Sequence, residues 1–180
     1  HLLYGFWNKI IVSSDKDFFQ LCDDYTSVYR PIQDKLVTKQ SILDEFKIHP
    51  NNFALARAIA GDSSDNLPGV SGVGLKTIAK RFPFMANEEE SDCEKIITAC
   101  AMQAKRLKLH ENIIKSANLV KNNYQIMQLY SPNIRPINRI FVDNTILNFE
   151  PEFSRLKFTK MLFQDGVGYI KFDELDCTVA

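Results

Sequence analysis

The stretch ALARAIAGDSSDNLPGVSGVGLKTIAKRF, residues 54–82, indicates the fold of this chain most directly. Its first part, together with the preceding Phe, predicts a helix that Asn51 or Asn52 caps and Gly61 ends. A turn rich in glycine follows, and residues 77–82 predict a second helix. The segment therefore predicts two helices joined by a turn that contains both acidic residues and glycines.

Two pairs of acidic residues lie in segments where a predicted strand or helix gives way to a turn. Asp62 and Asp65 lie in GDSSDN, where they could close an Asx-turn or point together into one cleft. Asp15 and Asp17 follow the β-branched run KIIVSS, residues 9–14, at the end of a predicted strand where open α/β sheets place their sites. Either of them could instead cap the next helix. If they converge, the carboxylates offer the oxygen-rich surround that Mg²⁺ prefers.

Three glycines punctuate the turn that follows the second acidic pair, at Gly69, Gly72 and Gly74. Glycine lets the backbone approach a ligand closely, and the amino terminus of the next helix offers N–H groups to a phosphate. Three positive charges lie on or near that helix, at Lys76, Lys80 and Arg81. This pattern favours contact with a nucleic-acid backbone over simple turn geometry.

The residues before this stretch predict an α/β arrangement. Residues 9–14 predict a buried parallel strand, residues 18–22 a short helix and residues 26–32 a second or edge strand. Thr38 is placed to cap a helix through SILDEF. We therefore expect the opening forty or so residues to combine strands and helices.

The residues after it are predicted to be helical. Residues 94–121 carry apolar positions at roughly helical spacing, residues 131–138 (SPNIRPIN) predict a Pro-punctuated linker, and residues 149–163 predict a late helix that docks on the body. A run of basic residues could extend a DNA-binding surface or form a solvated helix face: Lys105, Arg106, Lys108, His110 and Lys115. His49 and His110 suggest no ligand role. Trp7 and the phenylalanines are assigned to the core rather than to base stacking.

Composition excludes several classes of protein. The chain has 180 residues, with 22 basic and 22 acidic side chains, so no overall field attracts it to nucleic acid or membrane. No apolar run reaches the length of a membrane span, and we expect a cytoplasmic location in a bacterial or phage-infected cell. The four cysteines have neither zinc-binding nor disulfide-framework spacing: Cys22, Cys93, Cys100 and Cys177.

The glycine turn GVSGVGLKT, residues 69–77, resembles the helix-hairpin-helix motif, which grips a DNA backbone without reading its sequence. Taken in order, residues 10–21 (IIVSSDKDFFQL) and 54–82 resemble the family of 5' nucleases. That family includes flap endonucleases, phage 5'-3' exonucleases and the nuclease domains of bacterial family A DNA polymerases. Beyond Glu94 the similarity falls to general helical character.

The resemblance implies an α/β fold class: part of a PIN-like nuclease sheet, then a mostly helical domain with a helix-hairpin-helix type motif. The implied domains are a remnant of the α/β nuclease domain at 1–45, a helix-three-turn-helix domain at 46–125, and a carboxyl-terminal extension at 126–180 that packs on the body. By the same resemblance, four residues match metal-ligating carboxylates: Asp15, Asp17, Asp62 and Asp65. The implied DNA-binding residues are Gly69, Val70, Gly72, Val73, Gly74, Lys76, Thr77, Lys80 and Arg81.

The implied cofactors are two Mg²⁺ ions, for which Mn²⁺ can substitute, and K⁺ at the glycine turn. The implied activity is 5'-3' exonuclease or flap endonuclease cleavage in replication or repair, on DNA with a 5' end or flap or on an RNA–DNA hybrid. Residues 1–9 resemble the tail of a family helix, so we expect the chain to be incomplete as a nuclease. Two alternatives stay open: a non-catalytic DNA-binding module, and one half of a split nuclease whose amino-terminal half is a separate chain.

Overall fold

The computed structural model describes residues 6–130, 134–150 and 154–167. Within them, β1 (Lys9–Val12), β2 (Thr26–Arg30) and β3 (Lys35–Val37) form a sheet in the order β1-β2-β3. β1 is parallel to β2, and β3 is antiparallel to it. The predicted strands at 9–14 and 26–32 are confirmed, and the fold class is the expected mixture of a small sheet and many helices.

One face of β1 differs from the prediction of a buried strand. Ile10 is 63% exposed and Val12 is 67% exposed, whereas Ile11 packs against the core. The side chains of a strand point alternately to its two faces, and here only one face is covered by the described residues. The prediction of burial on both faces is therefore wrong for this part of the chain.

Eight α-helices follow the sheet in the described residues. Their bounds are α1 Lys39–Phe46, α2 Phe53–Ala60, α3 Leu75–Arg81, α4 Cys93–Ala101, α5 Lys108–Lys115, α6 Ala117–Met127, α7 Pro136–Leu147 and α8 Arg155–Gln164. Short 3₁₀ helices lie between several of these elements, including one at Lys16–Leu21. The single stretch predicted at 94–121 is divided among α4, α5 and α6. The predicted linker at 131–138 is wrong in part, because α7 begins at Pro136, a residue that suits the first turn of a helix.

Two predicted caps have different outcomes. The hydroxyl of Thr38 accepts a hydrogen bond from the Ser41 N–H and caps α1, as predicted. Asn52 stands at the N-cap position of α2 but makes no capping hydrogen bond. Its buried side chain donates to the Met85, Asn87 and Glu89 carbonyls instead, and its Oδ1 accepts from the Ser91 N–H. Asn52 thus stabilises the loop before α4 and does not cap the start of α2.

The core surrounds α2. Six of its eight residues are buried, so the helix is apolar almost all round, as expected for a central helix. Phe53 packs against Phe19 and Phe46, with ring centroids 5.5 and 5.3 Å away. On another side the buried Asn123 of α6 donates to the carbonyls of Ala58 and Pro68, at 3.0 and 2.9 Å. Phe19, Phe46 and Phe53 therefore pack together in the core, as predicted from the sequence.

A buried glutamine joins the beginning and end of the first compact unit, which extends to residue 132. Gln20 donates from Nε2 to the Met127 carbonyl at 2.9 Å and accepts at Oε1 from the Leu129 N–H at 2.8 Å. The Tyr130 hydroxyl donates to the Gln20 carbonyl at 2.5 Å. These three bonds attach the last residue of α6 and the residues after it to the 3₁₀ helix beside the sheet.

A second compact unit follows the first, and its described residues contain α7 and α8. The predicted domain limits, and the docking of the late helix on the body, stay predictions. Two residues of the first unit differ from their predicted surroundings: Trp7 is 66% exposed rather than in the core, and His110 is buried rather than on a solvated basic face. The remainder of the predicted helix tail, residues 1–5, lies outside the described residues.

Cys22, Cys93 and Cys100 are buried free thiols, and burial raises the pKa of Cys22 to about 12. Cys177 lies outside the described residues. Among the helices of the described ranges, none combines the length and apolarity that crossing a membrane requires.

Candidate metal centre and nucleic-acid interface

Asp15 and Asp17 lie directly after β1, where the chain turns into a 3₁₀ helix. A carboxylate oxygen of Asp15 accepts a hydrogen bond from the Asp17 N–H at 2.9 Å and caps this helix. The capping role considered from the sequence is therefore real for Asp15. Asp17, in the first turn, is half-buried and faces the end of α2.

Asp62 and Asp65 lie in a closed loop that follows α2. Asp62 and Leu67 exchange two backbone hydrogen bonds of 2.8 Å, which makes them an isolated antiparallel bridge across the loop. Gly61 has φ +79°, a conformation that favours glycine, and a Cβ there would lie 2.3 Å from the Gly69 nitrogen. This close backbone contact brings the acidic loop and the glycine turn together.

Three of the four predicted metal ligands converge. Oxygens of Asp17, Asp62 and Asp65 all lie within 4.8 Å of one another. Two of them, Asp62 and Asp65, line a cleft of about 430 Å³. Its other lining residues are Asp15, the basic Lys16 and Arg57, and three serines. Asp15 is thus at the same cleft but outside the three-carboxylate cluster.

A positive side chain, Arg57, lies among these carboxylates. Its Nε and Nη2 donate to Oδ1 of Asp17 at 3.1 and 2.9 Å, and Nη2 also donates to Oδ2 of Asp62. The side chain is only 13% exposed. Sequence reasoning did not select this residue; the available signal was a single charge in the otherwise apolar helix FALARAIA.

The two carboxylates that Arg57 contacts have pKa values displaced in opposite directions. Burial raises the pKa of Asp17, and the neighbouring guanidinium counteracts that rise. The pKa of Asp62 is lowered, chiefly because the Ser64 hydroxyl donates to Oδ1 at 2.5 Å. The Ser64 N–H donates to the same oxygen at 2.9 Å. Because Arg57 contacts both acids, the difference follows from the burial of Asp17 and from the hydrogen bonds that Ser64 donates to Asp62.

The donor set fits a hard divalent cation. Carboxylate oxygens are the ligands that Mg²⁺ prefers, and it commonly takes one or two of them together with water molecules. The guanidinium of Arg57 already bridges Asp17 and Asp62, which indicates that this position favours positive charge. The open, polar cleft leaves room for water and for a phosphate group.

The glycine turn presents its backbone and its charged side chains to solvent. Gly72 has φ +78°, and nothing lies within 4 Å of a Cβ built on Gly72 or Gly74. Val70 and Val73 are buried in the core, so only their backbone atoms are available to a ligand. The side chains of Lys76, Lys80 and Arg81 are exposed around this turn, as their predicted role requires.

Two further contacts position this turn. The Thr77 N–H donates to the Gly74 carbonyl at 2.9 Å as α3 begins, and the half-buried Thr77 is less available than the lysines. Asn112 of α5 donates to the Ser71 carbonyl at 3.1 Å. That carbonyl is therefore already occupied by a protein donor.

Comparison with curated proteins finds relatives among bacterial nucleases and polymerases. A 5'-3' exonuclease of Buchnera aphidicola is 38% identical over 81 residues, which cover 43% of this chain and 28% of the relative. A 5'-3' exonuclease of Aquifex aeolicus is 37% identical over 86 residues, covering 46% and 29%. The thermostable DNA polymerase I of Thermus aquaticus is 41% identical over 70 residues, covering 39% and 8%.

Solved structures agree on the fold. The 5'-exonuclease of phage T5 aligns with a TM-score of 0.54 and 23% identity, covering 66% of this chain and 46% of that protein. The phage T5 flap endonuclease, in a pseudo-enzyme-product complex with DNA and metal ions, aligns with a TM-score of 0.55 and 22% identity, covering 66% and 42%.

No family model matches this chain. The chain spans less than a third of the length of the Buchnera and Aquifex exonucleases compared above and less than half of the phage T5 structures. The matches to proteins named 5'-3' exonuclease agree with the shared fold and with the resemblance in the acidic and glycine-rich motifs. Over the part of its length that these matches cover, the chain is similar to bacterial proteins named 5'-3' exonuclease.

Proposed function

We propose that this chain supplies metal-binding carboxylates and a DNA-gripping turn to a metal-dependent 5' nuclease. The observation that carries the proposal is the convergence of Asp17, Asp62 and Asp65 beside an open cleft, in a relative of 5'-3' exonucleases. The reaction would be hydrolysis of a phosphodiester bond in DNA with a 5' end or flap, or in the RNA of an RNA–DNA hybrid. The cellular role would be replication or repair in the cytoplasm.

The three clustered acids would hold a divalent cation, Mg²⁺ or Mn²⁺, and Asp15 would act from the edge of the cleft. When bound, such ions activate a water molecule and stabilise charge on the phosphate and the leaving oxygen. The chain itself orients the ligands. Ser64 fixes the Asp62 carboxylate through two hydrogen bonds, and Asp15 holds the turn that presents Asp17. Such outer contacts determine how well a ligand set binds its metal.

The glycine turn would bind the sugar-phosphate backbone of the same substrate. Exposed backbone at Gly72 and Gly74 permits close approach, and the lysines and arginine of α3 supply positive charge. Contacts of this kind do not read sequence, so binding should be sequence-independent and sensitive to salt. The proposal has two further parts. A K⁺ ion would bind backbone carbonyls of the turn, and a separate amino-terminal nuclease half would be the partner of this chain.

The function is tested by incubating this chain, with and without an added amino-terminal nuclease fragment, with a labelled 5'-flap duplex in Mg²⁺, using EDTA as the metal-free control. Cleavage is measured in the combined protein. We expect cleavage that depends on the metal and is reduced about a hundredfold in the Asp15→Asn variant. Asparagine keeps an oxygen that can cap Asp17 and removes only the charge. Binding of the flap duplex in Ca²⁺ should change far less.

Two outcomes would contradict this reading. Cleavage by Asp15→Asn at the wild-type rate would remove Asp15 from the site. Binding of the flap duplex without any cleavage, by the chain combined with the amino-terminal fragment in Mg²⁺ or Mn²⁺, would favour the non-catalytic DNA-binding module over a nuclease.

The glycine turn is tested separately through Lys76. We expect Lys76→Ala to weaken duplex binding about equally for all sequences and to lower the slope of log affinity against log salt by about one. Fluorescence anisotropy over a range of salt concentrations gives both quantities. Lys160→Ala, an exposed lysine of α8 in the second unit, is the matched control. A sequence-selective loss, or the same loss in the control, would reject the turn as a backbone clamp.

A further inference from the structure

The Arg57 guanidinium occupies the space between two of the three clustered acids. It donates two hydrogen bonds to one Asp17 oxygen and one to an Asp62 oxygen. One positive charge therefore contacts two carboxylates, and a third, that of Asp65, lies within 4.8 Å of both. Arginine cannot lose its proton in a protein, so this charge is permanent.

The side chain has little freedom to lie elsewhere. Arg57 projects from α2, whose other residues are buried or nearly so, and it is only 13% exposed. The Asp62 side chain is 8% exposed and the Asp17 side chain 19%. Buried carboxylates repel each other strongly when unpaired, so the cluster needs a counter-charge to fold in this form.

We propose that Arg57 is a built-in counter-cation that competes with the divalent metal for Asp17 and Asp62. In this role Arg57 is a positioning residue: it holds the ligands together before metal binds, and it lowers the affinity of the site for metal. Metal binding displaces the guanidinium from at least one carboxylate. The inference rests on the proposed function, because it requires that the cluster binds a divalent cation.

The first test compares the wild-type protein with Arg57→Met, which keeps most of the side-chain length without the charge. We expect Arg57→Met to bind Mg²⁺ about tenfold more tightly by isothermal titration calorimetry, because no cation opposes the metal. Without metal its thermal midpoint should fall by about 5 °C. Saturating Mg²⁺ should therefore raise the midpoint of the variant more than that of the wild type.

The control is Arg57→Lys, which keeps the charge, so its Mg²⁺ affinity should stay near that of the wild type. Weaker or unchanged Mg²⁺ binding by Arg57→Met overturns the competition while leaving the metal site in place. Absence of Mg²⁺ and Mn²⁺ binding by both the wild type and Arg57→Met overturns this inference and the metal site together.

A second measurement does not depend on Arg57→Met and uses only the charge-conserving Arg57→Lys, for assignment. The Nε–H proton of Arg57 should be protected from solvent exchange in the metal-free wild type, since it is hydrogen-bonded to Asp17. Its NMR signal, identified by its loss in Arg57→Lys, should shift and lose protection as Mg²⁺ is added. A signal that stays unchanged at saturating Mg²⁺ would overturn the proposal.

Discussion

Replacing Gly69 by Ala is expected to lower the free energy of unfolding by about 3 kcal/mol. A Cβ at this position would lie 2.0 Å from the carbonyl oxygen of Ala60 and 2.6 Å from the nitrogen of Gly61. Both are backbone atoms, so no side-chain rotation relieves the clash. The loop that carries Asp62 and Asp65 would have to separate from the glycine turn.

The clash cannot be relieved cheaply, because hydrogen bonds hold both segments in place. The Gly61 N–H donates to the Arg57 carbonyl at 2.7 Å, and the Val70 N–H donates to the Ile59 carbonyl at 2.8 Å. Urea unfolding followed by circular dichroism measures the loss. Gly74→Ala is the matched control: Gly74 has φ −106° and open space around its Cβ position, so its stability should change by no more than about 0.5 kcal/mol. Equal losses in the two variants would show that the Gly61–Gly69 contact is not the cause.

Replacing Asp62 by Asn is expected to reduce metal-dependent cleavage on the order of a thousandfold, the effect of losing several kcal/mol of charge stabilisation. The amide retains an oxygen that can accept from Ser64, but it loses the negative charge that Arg57 and a metal ion require. Stability should fall as well, by about 2 kcal/mol, because a charged hydrogen bond is lost in a nearly buried position. Mg²⁺ affinity, measured by calorimetry, should fall in parallel with cleavage.

The control for this variant is Asp44→Asn, an exposed acid on α1 that accepts a bond from Gln40. Both measurements are made at a temperature where circular dichroism shows each variant folded, so that unfolding does not imitate loss of activity. Retention of Mg²⁺ affinity by Asp62→Asn would exclude Asp62 as a ligand. A loss of the same size in Asp44→Asn would exclude a site-specific effect.

The sequence was sufficient to predict β1 and β2, the cap of α1 and the position of the acidic loop. Each of these depends on neighbours close along the chain: Thr38 and Ser41 are three residues apart, and Asp62 bridges to Leu67 through local hydrogen bonds. The position of Asp15 as a helix cap is also local. The sequence allows this capping role as an alternative to metal binding. The hydrogen bond to the Asp17 N–H explains why Asp15 lies at the edge of the cluster rather than within it.

What the sequence could not predict depends on packing between distant segments. Arg57 meets Asp17 across 40 positions, and no pattern around either residue specifies that contact. A lone charge in an apolar helix is equally compatible with a solvated edge. The exposed face of β1 and the exposed Trp7 have the same origin, since the covering of an apolar side chain depends on elements outside its own segment.

The Gln20 carboxamide has a consequence for the kinetics of folding. It joins residues 107 positions apart, and closing so large a loop is costly in entropy until most of the unit is already folded. A contact made after the transition state contributes little to the folding rate and acts mainly by slowing unfolding. We therefore expect loss of the Gln20 side chain to speed unfolding more than it slows folding, because its hydrogen bonds to Met127 and Leu129 hold the end of α6 near the sheet.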